Sequence, residues 1–277
     1  MKIAKVINNN VVSVLDDQNK ELVLMGRGIA FQKKSGDLVD ETRIEKIFRL
    51  DNRDMSEKFK MLLYDIPLEY MEVSEEIIQY AKESLGKKLN DSIYVALTDH
   101  INFAIERSKT GMQITNALLW EIKRIYKEEY SIGKAALNKI DRKLGISLPE
   151  DEAGFIAMHI VNAELNEEMP NVVNMTNLIQ DILNIVKYHF KIEINEESLN
   201  YFRFLTHLRF FAQRLFSNIN LESQDDFLYE MVKEKHKETF LCTRKIQEYI
   251  EKTYNQELTK EEMGYLTIHI ERVVKRQ

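Results

Sequence analysis

The stretch LTDHINFAIER, residues 97–107, returns as FLTHLRFFAQR, residues 204–214, and EAGFIAMHI, residues 152–160, returns as EMGYLTIHI, residues 262–270. The first pair aligns His100 with His207, Phe103 with Phe210 and Arg107 with Arg214. The second aligns Gly154 with Gly264, Phe155 with Tyr265 and His159 with His269. The offsets, 107 and 110 residues, are nearly equal, so one module occurs twice with two histidines at equivalent places in each copy. Apolar positions follow helical spacing. Ile93, Ala96, Leu97, Ile101 and Ala104 form one stripe with His100 on its shoulder, and His159 and His269 fall on the apolar sides of their segments. All four histidines are expected at module or subunit contacts. Thr259 with Glu262 three residues on predicts a capping box at the start of the last helix, whereas the matching segment has Pro149, tolerated in a first turn.

Outward from the modules the pattern changes. Residues 1–50 alternate with a period of two in KIAKVI, VVSVL, ELVLMG and RIEKIFRL, separated by the turn formers Asn8-Asn9-Asn10, Asp16-Asp17-Gln18-Asn19 and Ser35-Gly36-Asp37. The fold class is therefore multidomain α+β: a small N-terminal four-stranded antiparallel β domain followed by two homologous all-α helical bundles. The predicted boundaries are 1–56 for the β domain, 57–66 for a linker that overlaps the charged run DNRDMSEKFK (51–60), 67–170 for the first bundle and 171–277 for the second, with Pro170-Asn171 marking the break. A β unit this small buries little by itself and exposes sheet edges, which pairing with a second copy would cover; a homodimer is expected.

Net charge is −6, which argues against a chain coated in nucleic-acid-binding surface, but the charge is unevenly placed. Residues 1–34 carry Lys2, Lys5, Lys20, Arg27, Lys33 and Lys34 against Asp16, Asp17 and Glu21, so a polyanion partner belongs at the N-terminus. The single cysteine, Cys242, excludes an internal disulfide framework and suits a reducing cytoplasm. No apolar run approaches a membrane span, and MKIAKVINNN lacks the hydrophobic segment of a secretory signal; a cytoplasmic protein with no membrane insertion is expected.

A histidine on an apolar helix edge is ordinarily a packing residue, and shared ancestry alone could preserve four of them in register. His189 and His236 lack repeat partners, and His236, in the charged run VKEKHKET, reads as part of a solvated face. Two chemistries remain for the other four. A helical metal-dependent phosphohydrolase would use the Asp99-His100 pair, but Thr206 replaces the aspartate in the second copy, and there is no HExxH and no cysteine cluster, so no metal or other cofactor is expected. A neutral imidazole is instead a nucleophile toward a phosphoryl donor, and the phosphohistidine then places negative charge where apolar surfaces meet, biasing the packing. Arg107 and Arg214, two turns beyond their histidines, either balance that charge or are ordinary solvated helix ends.

These motifs, from MGRGIAFQKKSGD through LTDH and LPEDEAGFIAMHIVNAELNEEMP to YLTIHIERV, resemble the BglG/SacY family of transcriptional antiterminators over essentially the whole chain. The resemblance implies an RNA-binding co-antiterminator domain that clamps a leader-mRNA hairpin as a dimer, followed by two phosphotransferase-system regulation domains, and no enzymatic activity. It implies RNA contacts at Lys5, Asn10, Gly26, Arg27 and Phe31, with Gln32 beside them. Their chemistry suits RNA: Arg27 pairs with phosphate or stacks, Phe31 stacks an unpaired base, Asn10 offers a donor and an acceptor, and Gly26 permits close approach. From the residues alone, Gly26-Arg27-Gly28 is equally a plain hairpin turn and Phe31 a packing residue. The resemblance further implies phosphorylation at His100 and His159 by the sugar-specific permease (Enzyme II), which inactivates, and at His207 and His269 by the phosphocarrier protein HPr, which activates. Asp99 would orient His100, and control of β-glucoside or β-glucan utilisation is implied. A DNA-binding activator with the same regulatory modules is the nearest alternative, and the strand pattern of residues 1–50 speaks against it and against DNA as partner.

Overall fold

The computed structural model describes residues 1–16, 21–49, 66–166, 169–216 and 227–275, so most of the expected linker, 57–66, lies outside the described residues. Two compact units divide the chain, residues 1–166 and 167–277.

The first unit opens with an antiparallel meander of β1 (Ile3–Asn8), β2 (Val11–Leu15), β3 (Glu21–Met25) and β4 (Lys46–Arg49). β-branched residues suit these strands, and Val11, Val12, Ser13 and Val14 are all buried, so both faces of β2 are covered. On one face Val12, Val14, Leu22 and Leu24 meet Ile29, Ala30 and Val39 from the long β3–β4 connection. On the other, Val11, Val23, Met25 and Phe48 share a buried cluster with residues of the helices that follow, and Phe48 meets Tyr94 edge to face at 5.4 Å. The open side of β1 is covered as well, because Ile3 donates to the Asp37 carbonyl and accepts from Gly36. Cover for so small a sheet, expected from a second copy, is thus supplied in good part by the chain itself. The fourth strand is shorter than RIEKIFRL: Asp40 caps a 3-10 turn at Glu41–Arg43, and pairing begins only at Lys46.

The first bundle comprises α1 (Leu68–Leu85), α2 (Ser92–Lys109), the short α3 (Leu119–Ile125), α4 (Lys127–Leu144) and α5 (Glu150–Leu165). Its core is built from Val73, Ile77, Ile93, Leu97, Ile101, Ile140, Ile156 and Ile160. Where α4 crosses α5, a Cβ on Gly133 would stand inside the Ala153 carbonyl, so only glycine permits that approach.

The second unit repeats the plan with α6 (Met169–Phe190), α7 (Leu199–Phe216), α8 (Phe227–Lys235), α9 (Lys237–Tyr254) and α10 (Lys260–Lys275). Equivalence extends to the backbone. Tyr126 and His236, each joining a short helix to a long one, have φ of −121° and −123°, and Gly145 and Asn255 end α4 and α9 in the left-handed region. Pro170 does not mark the break between modules. It lies in the first turn of α6, where a missing N–H costs nothing, and α5 ends at Asn166 in the left-handed conformation.

Candidate functional sites

The β3–β4 connection is pinned to the β1–β2 turn by Gly26 N donating to the Asn10 carbonyl and Ala30 N to that of Asn9. Ile29 and Ala30 anchor it in the core, which turns the residues around them outward: Arg27, Phe31, Gln32, Lys33 and Lys34 are all exposed, as is Lys5 on β1. Phe31 is 60% exposed, so it does not serve to pack the domain. Gln32 adopts a left-handed φ of 56° at the tip. Arg27 forms an outer ion pair with Glu72 at 3.8 Å, weak at such exposure. Two residues also have internal duties. The Asn10 side-chain oxygen accepts from Gly28 N at 2.9 Å, which leaves its amide NH₂ as the group free of that bond. A Cβ on Gly26 would collide with the Arg43 carbonyl oxygen, so the fold itself requires glycine there.

The four repeated histidines come together in pairs, each within one module. α2 and α5 bring His100 and His159 to a ring separation of 4.9 Å, with Phe155 against His100 at 5.7 Å. α7 and α10 bring His207 and His269 closer still, to 3.7 Å. Burial, reinforced by the charge of His100, pushes His159 down to about 3; burial, then His207 and Arg272, push His269 down to about 4. The exposed His207 is also lowered, by desolvation and then by Arg272 and Arg214. These three rings are neutral at physiological pH, the state in which an imidazole carries a nucleophilic lone pair.

The modules differ in their acidic partner. In the first, Glu152 is 3% exposed and lies between two side chains: its Oε1 accepts from Arg107 at 2.9 Å, and its Oε2 lies 3.0 Å from His100 Nε2, off the direction of the ring N–H. Burial works to raise this carboxyl, but the contacts with His100 and Arg107 outweigh it and hold it below the usual range. Arg107 is therefore no solvated helix end. Asp99 makes no hydrogen bond to His100, and its carboxyl is raised by burial. In the second module Glu262, aligned with Glu152, forms the predicted capping box: its Oε2 accepts from Thr259 N at 3.0 Å, and Thr259 Oγ1 accepts from Glu262 N at 3.2 Å. Arg214 is left 3.9 Å from Glu262, and Thr206 bonds back to the Phe202 carbonyl. A cavity of about 320 Å³ opens here, where His207, His269 and Arg214 share the lining with Glu261, Glu262 and Tyr265. It is large enough for a phosphoryl group beside the two rings.

Glu152 and Glu262 open the repeated segments, yet the sequence does not single them out, because identical letters carry different partners. His236, read as part of a solvated face, instead lies 3.0 Å through Nδ1 from Glu271, which also accepts from Thr239 and pairs with Lys275. The charged run supplies a clamp between the start of α9 and α10. Among the described residues no three His, Cys, Asp or Glu side chains converge as a metal set, and no helix is long and apolar enough to cross a membrane.

Residues 1–57 match the CAT RNA binding domain family, and residues 75–163 and 180–273 match the PRD domain family. The chain is 71% identical over 275 residues to the transcription antiterminator LicT of Bacillus subtilis (strain 168), spanning 99% of each chain. It is 51% identical over 273 residues to the beta-glucoside operon antiterminator of Dickeya chrysanthemi, covering 99% of this chain and 96% of that one. The crystal structure of GlcT CAT-PRDI is similar at 38% identity with a TM-score of 0.52, covering 59% of this chain and 97% of that one.

Proposed function

Because the chain belongs to the transcription antiterminators that join a CAT RNA binding domain to paired PRD domains, we propose that it binds a leader-mRNA hairpin through the exposed surface around Arg27 and Phe31 and so prevents an overlapping terminator from forming. The observation that carries the reading is the outward cluster of Lys5, Arg27, Phe31, Gln32, Lys33 and Lys34 on a rigidly pinned loop, within the segment that matches the RNA-binding family. Cations track the phosphates and an exposed aromatic ring stacks an unpaired base. Asn10 contributes its free NH₂, and Gly26 supplies the tight turn that presents Arg27. The RNA-binding form is a homodimer, which sets two such surfaces on one hairpin. β-Glucoside utilisation is the controlled process, supported by the beta-glucoside operon antiterminator among the relatives. The site of action is the cytoplasm, where transcripts are made.

Control comes from phosphorylation of the paired histidines. His100 and His159 take phosphate from the sugar-specific permease, Enzyme II, when its substrate is absent, which silences the protein. His207 and His269 take it from the phosphocarrier protein HPr when preferred sugars are scarce, which activates it. The neutral rings support this, as does the exposure of His207 beside a cavity, with Arg214 and Arg272 near it. No cofactor is required.

Binding of the full chain to the leader hairpin and to a scrambled hairpin of equal length, at two salt concentrations, tests the RNA surface. The expected result is selective, salt-sensitive binding that Phe31→Ala weakens by about tenfold, within the ~1–3 kcal/mol range of base stacking, and that Arg27→Ala weakens together with its salt dependence. Unchanged affinity in both variants would overturn the placement of the surface.

A further inference from the structure

We propose that Glu152 positions His100 for phosphoryl transfer at Nδ1, an inference that rests on the reading of His100 as a phosphoryl acceptor. Nε2 of His100 is sealed from solvent and faces Glu152 Oε2 at 3.0 Å, so what exposure the ring retains lies on its other atoms. A turn of the ring would align an Nε2 proton with the carboxylate, and a neutral ring protonated there presents its lone pair on Nδ1. In the step, that lone pair forms the N–P bond while the bond between phosphorus and the donor atom of a phosphorylated protein breaks, its electron pair leaving with the donor. Nε2 keeps its proton, the ring becomes cationic, and the Glu152 carboxylate meets that charge. Arg107, bonded to Oε1, holds the carboxylate in place. The role parallels that of a buried acid that orients and steadies a catalytic imidazole.

What frees Glu152 for this duty is the residue three places earlier. Thr259 recruits Glu262 into a capping box through its backbone N–H and its hydroxyl. Pro149, at the same place in the first module, has neither group and makes no side-chain cap. Glu152 is left to turn toward His100 and Arg107, and His207 has no such carboxylate. The two modules therefore differ in how they prepare their first histidine, although the letters of the repeat coincide.

The test uses the full chain and potassium phosphoramidate as donor at alkaline pH, with the phosphohistidine isomer at His100 assigned by ³¹P NMR and isomer-specific antibodies after digestion. The wild-type chain is expected to carry the Nδ1 isomer at His100. Glu152→Gln is expected to slow its labelling by about a hundredfold, the lower end of what a positioned acid–base partner contributes, and to give a mixture of isomers, with Glu152→Asp restoring part of the rate. Pro149→Thr keeps every residue of the site and offers Glu152 a capping box. It should slow His100 labelling and mix its isomers without lowering thermal stability, while His207 labelling stays at the wild-type rate. The Nε2 isomer at His100 in the wild-type chain, or full rate and a single isomer in both Glu152→Gln and Pro149→Thr, would overturn the role of Glu152 alone. No phosphate at His100 beside a labelled His207 would overturn the acceptor reading itself, and this inference with it.

Discussion

His269 stays neutral down to about 4 in the folded chain but titrates near 6.5 when unfolded, so the unfolded chain takes up a proton first as the pH falls. Its contribution to stability is complete above pH 6.5 and is lost as the pH falls through the interval down to about 4. By pH 5 the loss is about 2 kcal/mol. His269→Asn, which does not titrate, is expected to flatten the thermal midpoint between pH 7.5 and 5 relative to the wild-type chain; parallel profiles would contradict the burial argument. Gly26 separates fold from function at one position. Gly26→Ala forces a Cβ into the Arg43 carbonyl oxygen, and overpacking against backbone costs about 1–3 kcal/mol or more. Its RNA-binding domain should therefore melt earlier as well as bind less, whereas Arg27→Ala should lose binding with an unchanged melt. The histidine pairs were legible because the repeat aligns them. Glu152 was not, since its role depends on where its side chain turns, and His236 was misread because a charged neighbourhood in sequence says nothing about the carboxylate of Glu271 arriving from another helix.

The start of the last helix was legible in the sequence. Thr259 and Glu262 fulfil the predicted capping box atom by atom, and Thr259→Ala is expected to destabilise the second unit by about 1 kcal/mol. Pro149→Ala removes no side-chain cap and should leave the first unit's stability near that of the wild type; urea unfolding of the two variants side by side checks both statements. Two boundaries came out differently for local reasons. A proline lacks only an N–H that a first turn leaves unused, so Pro170 sits in the first turn of α6, which begins at Met169, rather than marking the break. The side chain of Asp40 accepts from Thr42 N and closes a 3-10 turn, which delays β4 to Lys46. Neither outcome follows from alternation or composition; each depends on a short-range competition for backbone groups.

For the whole molecule, the proposed control makes the second module the one that charge must reach for activity. His207→Asp combined with His269→Asp adds negative charge beside Arg214 and Arg272, and cells lacking the phosphocarrier are expected to show read-through of a leader reporter with this double variant and none with the wild-type chain. Read-through that still required the phosphocarrier would contradict the charge argument. The duplicated plan of helices was visible in the sequence, as was the small sheet ahead of it. The covering of that sheet on both faces was not, because the residues that do so come from a long connection and from helices far along the chain. The difference between Pro149 and Thr259 bears on how such a molecule comes about. Threonine and proline codons differ in their first base alone, so in a duplicated segment a single base change at a helix start decides whether the glutamate three residues on is offered a capping box.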